Sequence, residues 1–330
     1  MRKILSFHDN PPSFLSYSAV GGYEEKRGPL GKKLDLSSND DRFGMKTWES
    51  AESEMARLAM NLSLKKGNFS PEDIDVLFAG DLENQCVASA NGLYTFGIPY
   101  VGLYSACSTL TEGLFLLSSM ISKRLFTKGA VVTSSHNSAA ERQFRTPIEY
   151  GAQRSPTAQW TATAAGSFIL GIGGKIKITE GMPGKIVDGL SVDGSDMGSA
   201  MARSAFDTIY TYFSLKGDSK NVNLIVTGDL GVYGSEVLRE LLEKENVFSA
   251  KKHEDCGILL YDRAKKDSHA GASGCGCSAA VLATHFLPSL ESGTLSEILF
   301  LSTGALMSPS SLLQKQNILG ISPLIRISGG

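Results

Sequence analysis

The chain has 330 residues, 42% of them hydrophobic and 20% charged, and a formal net charge of −2. This composition supports a sizeable folded core, argues against disorder, and gives no reason to expect a nucleic-acid partner. Residues 1–10 hold no apolar stretch of signal-peptide length, so export is not expected, and no window approaches the roughly 18 apolar residues of a spanning helix.

Residues 1–45, rich in Gly, Pro, Ser and Asp, read as strand and loop material over a core. Met55, Leu58, Ala59 and Leu62 recur at helical spacing and predict a helix over 48–65. Ser70 before Pro71 marks a turn, and 74–79 reads as a buried strand ending at Gly80-Asp81-Leu82. A helix over 84–96 and a strand over 100–104 lead to Ala106-Cys107-Ser108-Thr109. Leu110, Leu114, Leu117, Ile121 and Leu125 then mark a helix buried on one broad face. A strand over 130–133 ends in Ser134-Ser135-His136-Asn137.

The second part repeats this order with a helix over 197–213, a strand over 223–227 closing on Gly228-Asp229-Leu230, and a helix over 234–244. A strand over 257–261 leads to Gly274-Cys275-Gly276-Cys277-Ser278, which opens a helix bearing Val281, Leu282, His285, Phe286 and Leu290. A strand over 297–301 ends in Ser302-Thr303-Gly304. Asp81 corresponds to Asp229 and Cys107-Ser108 to Cys277-Ser278; Ser134 lies 27 residues beyond Cys107, and Ser302 lies 25 beyond Cys277. The same order met twice predicts an internal duplication, with halves 1–192 and 193–330. Alternating strands and helices predict two parallel-type sheets with helices between and outside them.

Five cysteines, Cys86, Cys107, Cys256, Cys275 and Cys277, are read as thiols because the count is odd and no secretory signal accompanies them. The Cys275-x-Cys277 pair lacks the second pair that structural zinc needs, and neither a metal nor another cofactor is expected. Cys107 opens a helix, where the dipole and free N–H groups favour thiolate; a small residue packed against a strand end is the plainer alternative.

A cysteine opening a buried helix in the first of two such halves resembles the thiolase and ketoacyl synthase superfamily, with Ala106-Cys107-Ser108 where that superfamily keeps its nucleophile. Longer strings narrow the resemblance to the stage V sporulation protein AD family. They are LFAGDL (77–82), SSHNSAAERQFR (134–145), DMGSAM (196–201), GASGCGCSA (271–279) and STGALMSP (302–309). The resemblance implies a thiolase-like, duplicated, five-layered αβαβα fold of the α/β class. It further implies a sporulation protein that binds dipicolinic acid (pyridine-2,6-dicarboxylate), with or without calcium. Such a protein would assist uptake into the developing spore, together with other membrane proteins of the stage V sporulation A operon. The implied location is intracellular, in the forespore or spore and peripheral to the inner membrane. Thiolase-like proteins commonly dimerise through the first-half sheet, so a homodimer is an expectation of the same kind.

A planar dianion needs charge-assisted donors, and His136, Asn137, Arg142 and Arg145 offer them, arginine as a bidentate fork. A structural ion-pair network with Glu141 and Glu149 is the alternative. Tyr104, Phe144, Tyr150 and Trp160 suit either a ring-stacking wall or plain core. The expected ligand site comprises these four polar residues with Cys107, Asp81, Asp229, Ser273 and Cys277. Lys251-Lys252 and Lys265-Lys266 are short basic pairs, read as solvated or as facing an acidic surface.

An acyl-transfer enzyme would need a base and oxyanion donors beside Cys107. Gly228-Asp229-Leu230-Gly231 stands where the superfamily often supplies His or Asn, and a carboxylate opposes a developing oxyanion. His269-Ala270-Gly271-Ala272-Ser273-Gly274 is similar to a thiolase run but lacks its proline and is one residue shorter. In a thiolase Cys277 would be a second acid/base; close backbone approach explains its glycine-rich setting equally well. The expectation is a binding protein without acyl transfer. The alternatives are a condensing or thiolytic enzyme using Cys107, with His136 or His269 as base, and a scaffold with a vestigial pocket.

Overall fold

The computed structural model describes residues 2–144, 154–217, 222–264 and 268–330. The first half runs β1 (Ser13–Gly21), α1 (Trp48–Gly67), β2 (Val76–Gly80), α2 (Val87–Leu93), β3 (Tyr100–Gly102), α3 (Thr109–Ser122), β4 (Gly129–Ser135), α4 (Asn137–Phe144) and β5 (Ala164–Gly171). The second runs β6 (Lys177–Met182), α5 (Met197–Lys216), β7 (Leu224–Thr227), α6 (Gly231–Lys244), β8 (His253–Asp255), α7 (Cys256–Leu260), α8 (Cys275–Val281), α9 (Leu287–Glu291), β9 (Glu297–Leu301), α10 (Pro309–Leu313) and β10 (Leu324–Ser328).

These ten strands form one continuous path, β8-β7-β9-β10-β6-β1-β5-β4-β2-β3. In the first half β2 pairs parallel with β3 and β4, while β4–β5 and β5–β1 are antiparallel. The second half repeats the pattern, β7 being parallel to β8 and β9, with β9–β10 and β10–β6 antiparallel. The two parallel-type sheets expected from the sequence are therefore two mixed half-sheets, which meet at the single register pair Ser13↔Lys177. Strand β6 lies before residue 192 yet sits on the second half's side of this seam.

Strand alternation assigns each side chain to a layer. Val76 and Phe78 of β2 face the central core with Leu110, Leu114, Leu117 and Ile121 of α3, and Phe300 and Ile325 of the other half-sheet share that core. Leu77 and Ala79 face outward to Ala56, Met60 and Leu64 of α1. Helices α3 and α8 thus form the middle layer, and α1 with α2, and α5 with α6, form the outer ones. Helix α1 starts where Thr47 accepts from the Ser50 N–H in a capping box and ends at Asn68 in a left-handed conformation.

The strand expected over 257–261 is instead mostly helix α7, and the strand in that place is β8 just before it. Asp255 caps α7 by accepting from the Ile258 N–H. A five-residue apolar run shows too little of any period to separate helix from strand. The helix expected over 84–96 begins properly only at Val87, because Gln85 and Cys86 both take positive φ.

Candidate functional site

Strand β3 hands the chain to a 3-10 turn at Ala106–Ser108, and α3 follows at once. Ala106 holds φ 49, an uncommon value for a residue with a Cβ, and this tight entry turns Cys107 toward a cavity. The cavity is about 410 Å³, within the range of small-molecule sites. Tyr104, Cys107, Ala140, Phe144 and Thr161 wall it from the first half. Met197, Ser273 and residues 305–308 wall it from the second, so neither half makes the site alone.

Asp229 lies beside the Cys107 thiol. One carboxylate oxygen accepts from the Gly274 N–H at 2.9 Å and the other from the Thr303 hydroxyl at 2.7 Å. Gly274 takes φ 104, a conformation that side chains rarely adopt. The loop that presents Asp229 is itself held by Asp255, which accepts from the Leu230 and Gly231 N–H groups at 2.8 and 2.9 Å. Burial pushes Asp229 up to about 6 and Asp255 up to about 7, against donors that favour their ionised forms.

Burial, with the neighbouring Asp229 charge, pushes the Cys107 thiol well above its ordinary value. The thiolate expected from the helix start is therefore corrected to a thiol. A helix terminus contributes about 1 kcal/mol, and loss of hydration beside a carboxylate outweighs it.

The duplicate carboxylate, Asp81, turns the other way. It accepts from the Glu83 N–H at 2.8 Å, the Ser89 N–H at 2.7 Å and the Ser89 hydroxyl at 2.5 Å, which ties it to the start of α2 rather than to the cavity wall. Glu52 and Glu83 lie beside it, and burial raises both, Glu83 to about 7.

Helix α4 splits the expected polar string by its phase. Ala140, Glu141 and Phe144 face the cavity, whereas Arg142 reaches outward to pair with Glu49 on α1, its side chain 54% exposed. His136 donates from Nε2 to the Asp41 carbonyl at 2.9 Å, accepts from the Ser138 N–H at 3.1 Å, and packs on Trp48. Burial lowers its pKa and keeps it neutral. The Asn137 N–H donates to the Thr163 hydroxyl, and its side-chain amide nitrogen is buried without a hydrogen-bond partner among the described residues. Ser273 is on the cavity wall, while Cys277 is buried behind it with its thiol 3.8 Å from the Gly228 carbonyl. Neither His136 nor His269 lines the cavity. Arg145, Glu149, Tyr150, Lys265 and Lys266 lie outside the described residues.

Sequence reasoning missed Arg154, which no local motif marks. Its Nη2 donates to the cavity-wall carboxylate of Glu141 at 2.7 Å, and its guanidinium lies 4.7 Å from the Trp160 ring centre. Its Nη1 is buried with no hydrogen-bond partner among the described residues. Among the described residues no group of three His, Cys, Asp or Glu is placed to hold a metal ion.

Over residues 2–328 the chain matches the family described as Stage V sporulation protein AD. It is 38% identical over 312 residues to stage V sporulation protein AD of Bacillus subtilis (strain 168), covering 94% of this chain and 92% of that protein. Among solved structures, 3-oxoacyl-[acyl-carrier-protein] synthase III from Aquifex aeolicus VF5 matches with a TM-score of 0.59 at 13% identity, over 96% of this chain and 99% of that one. Cerulenin-bound OleA of Xanthomonas campestris matches with a TM-score of 0.61 at 14% identity, over 98% and 100%. At such identities these likenesses speak for the fold, and they bear out the thiolase-like architecture.

Proposed function

The chain belongs to the stage V sporulation protein AD family, and from that premise we propose that its cavity binds dipicolinic acid without acyl transfer. The observation that carries this reading is the Cys107–Asp229 contact. A carboxylate beside the thiol keeps it protonated and opposes any oxyanion, and neither histidine weighed as a base lines the cavity. Phe144 and Tyr104 supply flat walls for a pyridine ring, and Arg154, behind the wall and paired with its carboxylate Glu141, is the charged donor that would turn to a ligand carboxylate.

Calorimetry with dipicolinate, with and without calcium, tests the assignment. Arg154→Ala is expected to weaken binding at least about tenfold, the scale of a lost charge-assisted bond, whereas Arg142→Ala stays within about twofold. No binding to the wild type overturns the reading. An acyl adduct on Cys107 after incubation with acyl-CoA overturns the non-enzymatic half of it.

In the cell the protein would assist dipicolinate uptake with the membrane proteins of its operon, at the spore inner membrane. No helix among the described residues is long and apolar enough to cross a membrane, which fits a peripheral role. A homodimer through β3 fits as well, since Tyr100, Val101 and Gly102 are all exposed on this edge strand. Light scattering that finds a monomer at micromolar concentration would remove the dimer.

A further inference from the structure

The end of the molecule opposite the cavity carries a different chemistry. Strand β4 runs seven residues toward the cavity, so its start lies about 20 Å from the end that leads into α4. At that start the loop after α3 and the turn after β5 come together, and Arg124, Phe126, Lys128 and Ile172 share a cleft of about 330 Å³ with Asn10.

The local geometry runs against simple helix termination. Helix α3 ends in a Schellman turn, with the Arg124 N–H bonded to the Ile121 carbonyl at 2.8 Å and the Leu125 N–H to the Met120 carbonyl at 2.9 Å. The left-handed position, usually Gly or Asn, is taken by Arg124 at φ 59. The next residue of this motif usually packs back on its helix, yet Leu125 is 69% exposed. Ile172, in the adjoining turn, is 49% exposed.

Cations surround these apolar tips. Lys123, Arg124, Lys175 and Lys177 are exposed and have no ion-pair partner among the described residues. Two of the nearby acids are engaged, Asp75 accepting from the Thr127 and Lys128 N–H groups and Asp73 capping Ser70 while lying 4.0 Å from the Lys128 amine, and Asp9, next to Asn10, is an exposed acid at the edge of the cleft. Exposed aliphatic tips set among unpaired cations match a surface whose outer layer is phosphate and whose inner layer is hydrocarbon.

We propose that this end docks on an anionic phospholipid bilayer. Leu125 and Ile172 enter the boundary between headgroups and acyl chains, and the Arg124–Lys128 cleft takes a headgroup phosphate. The surface rests on the peripheral location proposed above and gives it a physical basis, uses no residue of the cavity, and lies toward the other end of β4 from it.

Co-sedimentation of the full chain with vesicles of phosphatidylcholine alone, or of phosphatidylcholine with phosphatidylglycerol, tests this. Binding is expected only to the second, and to fall as salt rises. The double change Leu125→Ser with Ile172→Ser, and separately Lys123→Glu with Arg124→Glu, should each reduce partitioning at least roughly tenfold. Lys251→Glu with Lys252→Glu, on the second half, should leave it unchanged. Thermal melting shows that each variant is folded, and dipicolinate calorimetry on the same samples reports the cavity separately. A wild type that ignores anionic vesicles, or patch variants that bind them as the wild type does, overturns the proposal.

Discussion

Replacing Asp229 by Asn removes a charge while nearly keeping the side-chain volume, and its effect on stability changes sign with pH. In the folded protein burial raises this carboxyl from 3.8 to about 6. At ~1.4 kcal/mol per pH unit, the ionised side chain costs the folded state about 3 kcal/mol. An acid raised in the folded state carries no such cost below its unfolded value. The cost therefore grows from about pH 4 and is complete somewhat above pH 6. Asn escapes it but keeps only one acceptor, so one of the bonds from Gly274 and Thr303 is lost, at about 1–2 kcal/mol. The variant should be less stable than the wild type by about that amount at pH 4. By pH 8 it should be more stable by about 1–2 kcal/mol. Urea unfolding at both pH values reads the crossing. Loss of the neighbouring charge also lowers the Cys107 thiol, so iodoacetamide should modify Cys107 faster in the variant at pH 8. Equal destabilisation at both pH values with unchanged alkylation would refute this account.

Two further outcomes follow from buried groups near the same strand ends. Glu52 is held neutral by burial and by the charges of Asp81 and Glu83, so Glu52→Gln should change stability by less than about 1 kcal/mol at pH 7. A thermal melt showing a larger loss means the carboxylate is ionised. Gly80→Ala places a methyl against the Leu103 carbonyl oxygen and 2.7 Å from the Thr109 methyl, beneath the turn that carries Cys107. It should cost roughly 2–4 kcal/mol in urea unfolding and weaken dipicolinate binding, and an unaffected midpoint would contradict the packing described.

Much of the fold was legible because long elements carry their own period. Leu110, Leu114, Leu117 and Ile121 of α3 and the buried strands β2, β4 and β9 lie where spacing placed them, within a few residues, whereas Leu125, expected on the same buried face, falls beyond the helix end at Ser122 and is exposed. Helix α7 was not legible, since its five apolar residues were read as the strand that β8 supplies. At the site, Cys107 and Ser273 could be found because each belongs to a string that opens or precedes a helix. The string around Arg142 misled, because a linear run of polar residues does not show which way each faces. On α4 each residue turns about 100° from the last, so Glu141 meets the cavity while Arg142 meets α1. Arg154 matters only through its contacts with Glu141 and Trp160, which no spacing rule connects.

The seam between the half-sheets bears on how such a molecule arose. Across it run few backbone bonds, chiefly Phe14 N–H to the Ile176 carbonyl at 2.9 Å and Ile178 N–H to the Pro12 carbonyl at 2.8 Å. The halves hold together mainly through the apolar faces of α3 and α8. A single ancestral half would have left that face bare to water, so it would have existed as a symmetric pair of identical chains, with one carboxylate doing the same task twice. On that origin, fusion into one gene would release the copies from identity, leaving one acid tied to its own loop as Asp81 while the other, Asp229, lies beside a thiol of the first half.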